Sequence, residues 1–115
     1  MLRAVIIEDI ESIREEYITL IRSHCPSVTV VGQADSVASG VRLIRELTPD
    51  LVFLDVDMPD GTGFDLLQKL TPVNFKVIFI FSVEIKMIGK FNYFAFISII
   101  SLLSYKCILG SITNY

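Results

Sequence analysis

Histidine and cysteine are scarce in this 115-residue chain, and neither is arranged for chemistry. His24 has no second imidazole with which to build a metal site, and its place fits the end of a helix. Cys25 and Cys107 stand apart without Cys-x-x-Cys spacing, which excludes a disulfide framework and fits reduced thiols. Basic clusters are missing as well. With 10 Lys and Arg against 13 Asp and Glu, a net charge of −3 and a pI near 5.0, no stripe follows a phosphate backbone, so nucleic acid is not an expected partner of this segment. DNA binding would need another domain. Long apolar runs are also absent. Phe91 to Tyr105 carries no charge, but its fifteen residues are broken by Asn92 and serines and fall short of the ~20 that a spanning helix needs, so no membrane partner is expected. Glu8 and Asp9 interrupt the early apolar run, which argues against a secretory leader and for a cytoplasmic location.

What is present is a chain of single-domain size whose apolar segments alternate between two periods. Ala4 to Ile7 is a β-rich run, apolar on both sides, that ends in Glu8-Asp9. Ile10, Ile13, Tyr17, Leu20 and Ile21 then recur at three- and four-residue spacing, which predicts an amphipathic helix ended by Pro26. Val28 to Val31 predicts a second strand. Asp35 or Ser36 is the candidate N-cap of a second helix with the stripe Val37, Val41, Ile44 and Leu47, stopped by Pro49. A third strand runs from Leu51 into Asp55, turn residues follow from Met58 to Gly63, a short helix is expected over Phe64 to Leu70, and a fourth strand over Lys76 to Phe81. Such alternation with short connections predicts a doubly wound α/β domain, a parallel sheet with helices on both faces.

The pattern changes past residue 82. Residues 1–75 hold 12 acidic and 6 basic residues, whereas 76–115 hold only Glu84 against Lys76, Lys86, Lys90 and Lys106. The tail reads as a buried strand running into a weakly patterned helix.

Open α/β sheets bind ligands outside the carboxyl ends of their strands. Glu8, Asp9 and Asp55 fall there, at the ends of strands that a doubly wound sheet makes neighbours. Carboxylates that close repel one another and raise their own pKa values unless a cation neutralises them, and hard oxygen donors suit Mg²⁺, which also favours phosphate oxygens. One carboxylate not fully engaged by the ion can attack phosphorus and become an acyl phosphate.

The IIED of Ile6 to Asp9, the PDLVFLDVDMPDGTGFDLL of Pro49 to Leu67 and the KVIFI of Lys76 to Ile80 resemble the receiver domain of bacterial two-component response regulators. The wording is closest to receivers followed by a LytTR-type DNA-binding domain, and the motif match covers residues 3–80 of a single domain spanning 1–115. The resemblance implies a flavodoxin-like, five-stranded sheet of order 2-1-3-4-5, with the last strand and helix the least defined by pattern. It implies Asp55 as phosphoacceptor, with Glu8 and Asp9 as the acidic pair holding Mg²⁺ and the main-chain carbonyl of Asp57 as a further metal ligand. Asp60 and the Asp57 side chain are then bystanders. Gly61 and Gly63 let the loop turn away from the phosphoryl group. The implied partner is a sensor histidine kinase or phosphotransfer protein, and the implied role is a switch in transcription regulation rather than a conventional enzyme.

The family's second half is not matched. The position of its conserved hydroxyl holds Phe81, with Ser82 one residue late, and Ser101-Leu102 stands where the family has Lys-Pro. Lys86, Lys90 and Lys106 are not placed by motif. The C-terminal part is thus divergent, frameshifted or truncated. Two further readings stay open at this point: a degenerate receiver serving only for docking or dimerisation, and a Mg²⁺-dependent haloacid-dehalogenase-type phosphohydrolase, since Asp55-Val56-Asp57 also resembles that family's nucleophile motif. Apolar residues such as Phe91, Phe94, Phe96, Ile99 and Leu102 lead us to expect self-association or a homodimer.

Overall fold

A computed structural model describes residues 1–80 of the chain. In order these form β1 (Leu2–Ile7), α1 (Glu11–His24), β2 (Val28–Ala34), α2 (Val37–Leu47), β3 (Leu51–Asp55), β4 (Asp57–Met58), β5 (Gly61–Thr62), α3 (Gly63–Lys69) and β6 (Lys76–Ile80). The main sheet has the order β2-β1-β3-β6, and all its pairings are parallel. These are the first four strands of the expected 2-1-3-4-5 order. The expected fifth strand, the last helix and the positions Phe81, Ser82, Ser101, Lys86, Lys90, Lys106 and Cys107 lie outside the described residues, as does the apolar run from Phe91.

Residues two apart on a strand share a face, and this parity divides the interior. Ala4, Ile6, Leu51, Phe53, Val28 and Ile80 pack with Tyr17, Ile18, Ile21 and Cys25 of the α1 layer. Val5, Ile7, Val52 and Leu54 pack on the other side with Val37, Val41 and Ile44 of α2 and Leu66 of α3. Because β1 and β3 have neighbours on both edges and helices on both faces, Ala4–Ile7 and Leu51–Asp55 are buried throughout, which is why these segments are unbroken apolar runs. Among the described residues no helix is long and apolar enough to cross a membrane.

Several element ends differ from the sequence expectation. β1 begins at Leu2 and β2 continues to Ala34, because parallel pairing with β1 extends to Ile7↔Ala34 across a bulge at Ala4/Val5. Ile10 is the N-cap of α1 and lies outside the helix, whose last turn holds His24 with Nδ1 3.1 Å from the Leu20 carbonyl. Ser36, not Asp35, caps α2, sharing a capping box with Ser39. α3 starts at Gly63, one residue early, because Thr62 and Asp65 form a second capping box. Phe64 is 59% exposed, its ring 5.0 Å from that of Phe79.

Candidate functional site: an acidic pocket at the carboxyl edge

β1 and β3 lie side by side in the register Ile7↔Leu54, so the residues that follow, Glu8 and Asp55, emerge at one end of the sheet. Glu8 and Asp55 are fully buried and Asp9 is half-buried. Carboxylate oxygens of all three lie within 4.8 Å of one another. The backbone fixes this convergence. Glu8 N–H donates to the Ala34 carbonyl (3.0 Å), and Arg14 Nη1 donates to the Glu8 carbonyl (2.8 Å) while its Nε holds the Gln33 side chain (2.7 Å). Val56 N–H donates to the Ile80 carbonyl (3.3 Å) and Gly63 N–H to the Val56 carbonyl (2.9 Å), which anchors the chain just after Asp55.

Burial holds the Asp55 carboxyl above its ordinary value of 3.8, since a dry site penalises the charged form. Hydrogen bonding with Glu8 and from the Asp57 N–H pulls it down, and the neighbouring Asp9 pushes it up. An all-oxygen donor set of this size, without imidazole or thiolate, fits a hard divalent cation that keeps some of its waters.

The loop after Asp55 is more ordered than its turn residues suggest. β4 and β5 pair antiparallel through Asp57↔Thr62 and Met58↔Gly61, and Gly61 takes φ +146°, a conformation that L side chains rarely adopt. Asp57 is exposed on β4. Asp60 has a structural role that the sequence reading did not assign: its Oδ1 and Oδ2 accept from the N–H groups of Val37 (2.8 Å) and Ala38 (3.0 Å) at the start of α2, which lowers its pKa. Spacing could not reveal this, because cap and helix are 23 residues apart. Tyr17 was legible only as one more residue of an apolar stripe, yet it is buried in the α1-side core, where burial first and then the charges of Glu8 and Asp55 raise its pKa.

Fold and pocket define a class first: doubly wound domains with carboxylates gathered at the carboxyl edge of the sheet. The profile of the response regulator receiver domain matches residues 4–90, and the chain belongs to that family. It is 43% identical over 70 residues to the sensory transduction protein LytT of Enterococcus faecalis, a stretch covering 61% of this chain and 28% of that protein. It is 37% identical over 68 residues to a protein-glutamate methylesterase/protein-glutamine glutaminase of Rhizobium etli, covering 59% of this chain and 19% of that one. Among solved structures it is similar to the response regulator domain of Thermotoga maritima CheB, with TM-score 0.66 and 25% identity over 90% of this chain and 72% of that one. The chain spans less than a third of either curated relative. It carries a signalling domain of two-component systems, which leaves the haloacid-dehalogenase reading without support.

Proposed function

We propose that this receiver is a phosphoacceptor switch in which Asp55 takes a phosphoryl group from a sensor histidine kinase or phosphotransfer protein. One observation carries the reading: the Asp55 carboxylate, buried at the end of β3, has oxygens of Glu8 and Asp9 within 4.8 Å. An Asp55 oxygen attacks phosphorus, and a P–O bond forms as the bond from phosphorus to the donor's histidine nitrogen breaks. The imidazole keeps the electron pair and Asp55 becomes an acyl phosphate. Glu8, Asp9, Asp55 and the main-chain carbonyl of Asp57 are the groups we assign to Mg²⁺. When bound, such an ion offsets the carboxylates' repulsion and spreads the charge on the phosphoryl oxygens. The acyl phosphate then biases a two-state surface.

We read residues 1–115 as one cytoplasmic receiver domain, and we propose transcription regulation as the output on the likeness to LytT. The DNA-binding surface for that output is not supplied by the charge pattern of this sequence. On sequence grounds we also propose self-association, up to a homodimer, through the apolar residues beyond Phe91.

A second reading, a docking module that no longer switches, is favoured by Phe81 and Ser101 at the family's hydroxyl and lysine positions. Treatment with acetyl phosphate and Mg²⁺ decides between them by intact mass. One added phosphoryl group on the wild type and none on Asp55→Asn is the expected result. No addition to either protein makes it a docking module, and addition to both places the nucleophile elsewhere.

A further inference from the structure

The start of α2 is held from outside the helix. Its first turn carries no acidic residue, and the side chain of its own cap, Ser36, accepts only from the Ser39 N–H (3.0 Å). The two N–H groups before that one, of Val37 (2.8 Å) and Ala38 (3.0 Å), donate to the two carboxylate oxygens of Asp60. Water satisfies such groups at an exposed helix end, so two charge-assisted bonds to a residue 23 positions from Val37 add something that helix formation does not require. What they add is a fixed place for the loop that carries Asp60. With Pro59, Asp60 forms the tip between β4 and β5, whose ladder consists only of Asp57↔Thr62 and Met58↔Gly61. A ladder that short does not hold its own position. At its base the Gly63 N–H closes the loop onto the Val56 carbonyl (2.9 Å), and at its tip the loop is anchored on α2. The approach there is close: Met58 shares the α2-side core with Val37, and a Cβ at Gly61 would lie 3.3 Å from Val37 Cγ2.

We propose that Asp60 is a positioning residue for the acidic pocket: by latching the loop after Asp55 to the start of α2, it holds the main chain of Asp57, whose carbonyl we assign to the divalent cation. The inference rests on the reading of Glu8, Asp9, Asp55 and that carbonyl as the Mg²⁺ site. Asp57 is paired with Thr62 in the ladder and stands three residues before Asp60, so a loop released at its tip leaves the Asp57 backbone anchored from its base alone. The coupling is reciprocal, and occupancy of the pocket in turn strengthens the contacts of Asp60 with Val37 and Ala38. The start of α2 thereby reports whether the pocket is filled.

The test is a Mg²⁺ titration of the full 115-residue chain by NMR, at a temperature well below every thermal midpoint, following the amides of Val37 and Ala38 and those around Asp55. Asp60→Ala removes both acceptors. It should weaken Mg²⁺ binding about tenfold, the lower end of the range for groups that orient metal ligands. It should also lower the metal-free midpoint by roughly 4 °C, as loss of a helix cap does. Ala38 is exposed, so Ala38→Glu added to Asp60→Ala returns a negative charge to the first turn of α2 without tethering the loop. The double variant should recover the midpoint and keep the weakened Mg²⁺ affinity, a separation that a purely structural role would not give. Affinity that returns with the added glutamate makes Asp60 a helix cap only and overturns the proposal. Equal Mg²⁺ affinity in wild type and Asp60→Ala likewise overturns it and leaves the metal reading standing. Absence of Mg²⁺ binding by the wild type overturns both. Should Asp60→Ala fail to fold, the wild-type amides decide: shifts of Val37 and Ala38 that track the Mg²⁺ isotherm support the latch, and amides there that ignore Mg²⁺ overturn it.

Discussion

At Asp55 folding works against the charge that phosphoryl transfer needs. Its carboxyl is buried and its pKa is raised above 3.8, so the ionised form is penalised in the native state. For an acid with a raised folded value, the penalty is complete above that value and disappears as the pH falls through it toward the unfolded value. Asp55→Asn, which removes the charge and keeps the shape, should therefore stabilise the metal-free protein at pH 7 by on the order of 1 kcal/mol. A difference of that size moves the midpoint of a domain like this by roughly 4 °C or more. The advantage should shrink on acidification toward pH 4. Asp60 and Asp65, whose pKa values are lowered by backbone N–H groups, make both proteins less stable in acid, and that shared loss cancels in the comparison. Thermal melts of the two proteins between pH 7 and 4 check the sign, and a less stable Asn variant at pH 7 would refute it. Asp55 and Glu8 were legible in the sequence because each ends an apolar run, a local signal. The capping role of Asp60 was not, because it depends on a contact made across the fold.

The element that holds the pocket's open side is the β3–α3 connection, and its tightest point is Gly63. A Cβ there would lie 2.6 Å from the Asp55 carbonyl oxygen and 3.0 Å from Leu54 Cγ. The obstacle is backbone at the end of a central strand, so it cannot rotate aside. Helix propensity alone says that Gly63→Ala should stabilise the first turn of α3, by up to about 1 kcal/mol. The close approach predicts the opposite, a loss of about 1–3 kcal/mol as for other overpacked sites. It also predicts slower labelling by acetyl phosphate, because relief of the clash displaces the peptide of Asp55. Urea denaturation gives the sign directly, and a stabilised Ala variant would show that α3 yields at little cost. The existence of α3 was readable from Leu66 and Leu67. The β4–β5 ladder was not, since two residues per strand are too few to carry a period.

Across the whole domain the two-sided core was legible because parallel strands buried on both faces leave continuous apolar runs, and amphipathic helices between them leave stripes, whereas the sheet order followed from the family resemblance alone. Exact strand ends were not, because pairing partners and not local preference extend β2 to Ala34. The same coupling between distant elements makes metal binding a property of the folded chain. Glu8, Asp9 and Asp55 come from two strand ends more than 40 residues apart, and only the native sheet brings their oxygens within 4.8 Å. A cation held there binds the native state and not the unfolded chain, so it stabilises by RT ln(1 + [Mg²⁺]/Kd), about 1.4 kcal/mol at ten times Kd. The midpoint of the wild type should rise by several degrees and keep rising with the logarithm of Mg²⁺ concentration. The reverse order should hold for the acids: Asp55→Asn starts higher without metal and gains little from it, so the two melting curves converge or cross as Mg²⁺ is added. Asp9→Asn should likewise lose most of the response. Melts at constant ionic strength, with KCl replacing MgCl₂ charge for charge, separate site binding from screening. An equal rise in wild type and both variants would make the effect nonspecific and remove the pocket from the account of metal binding.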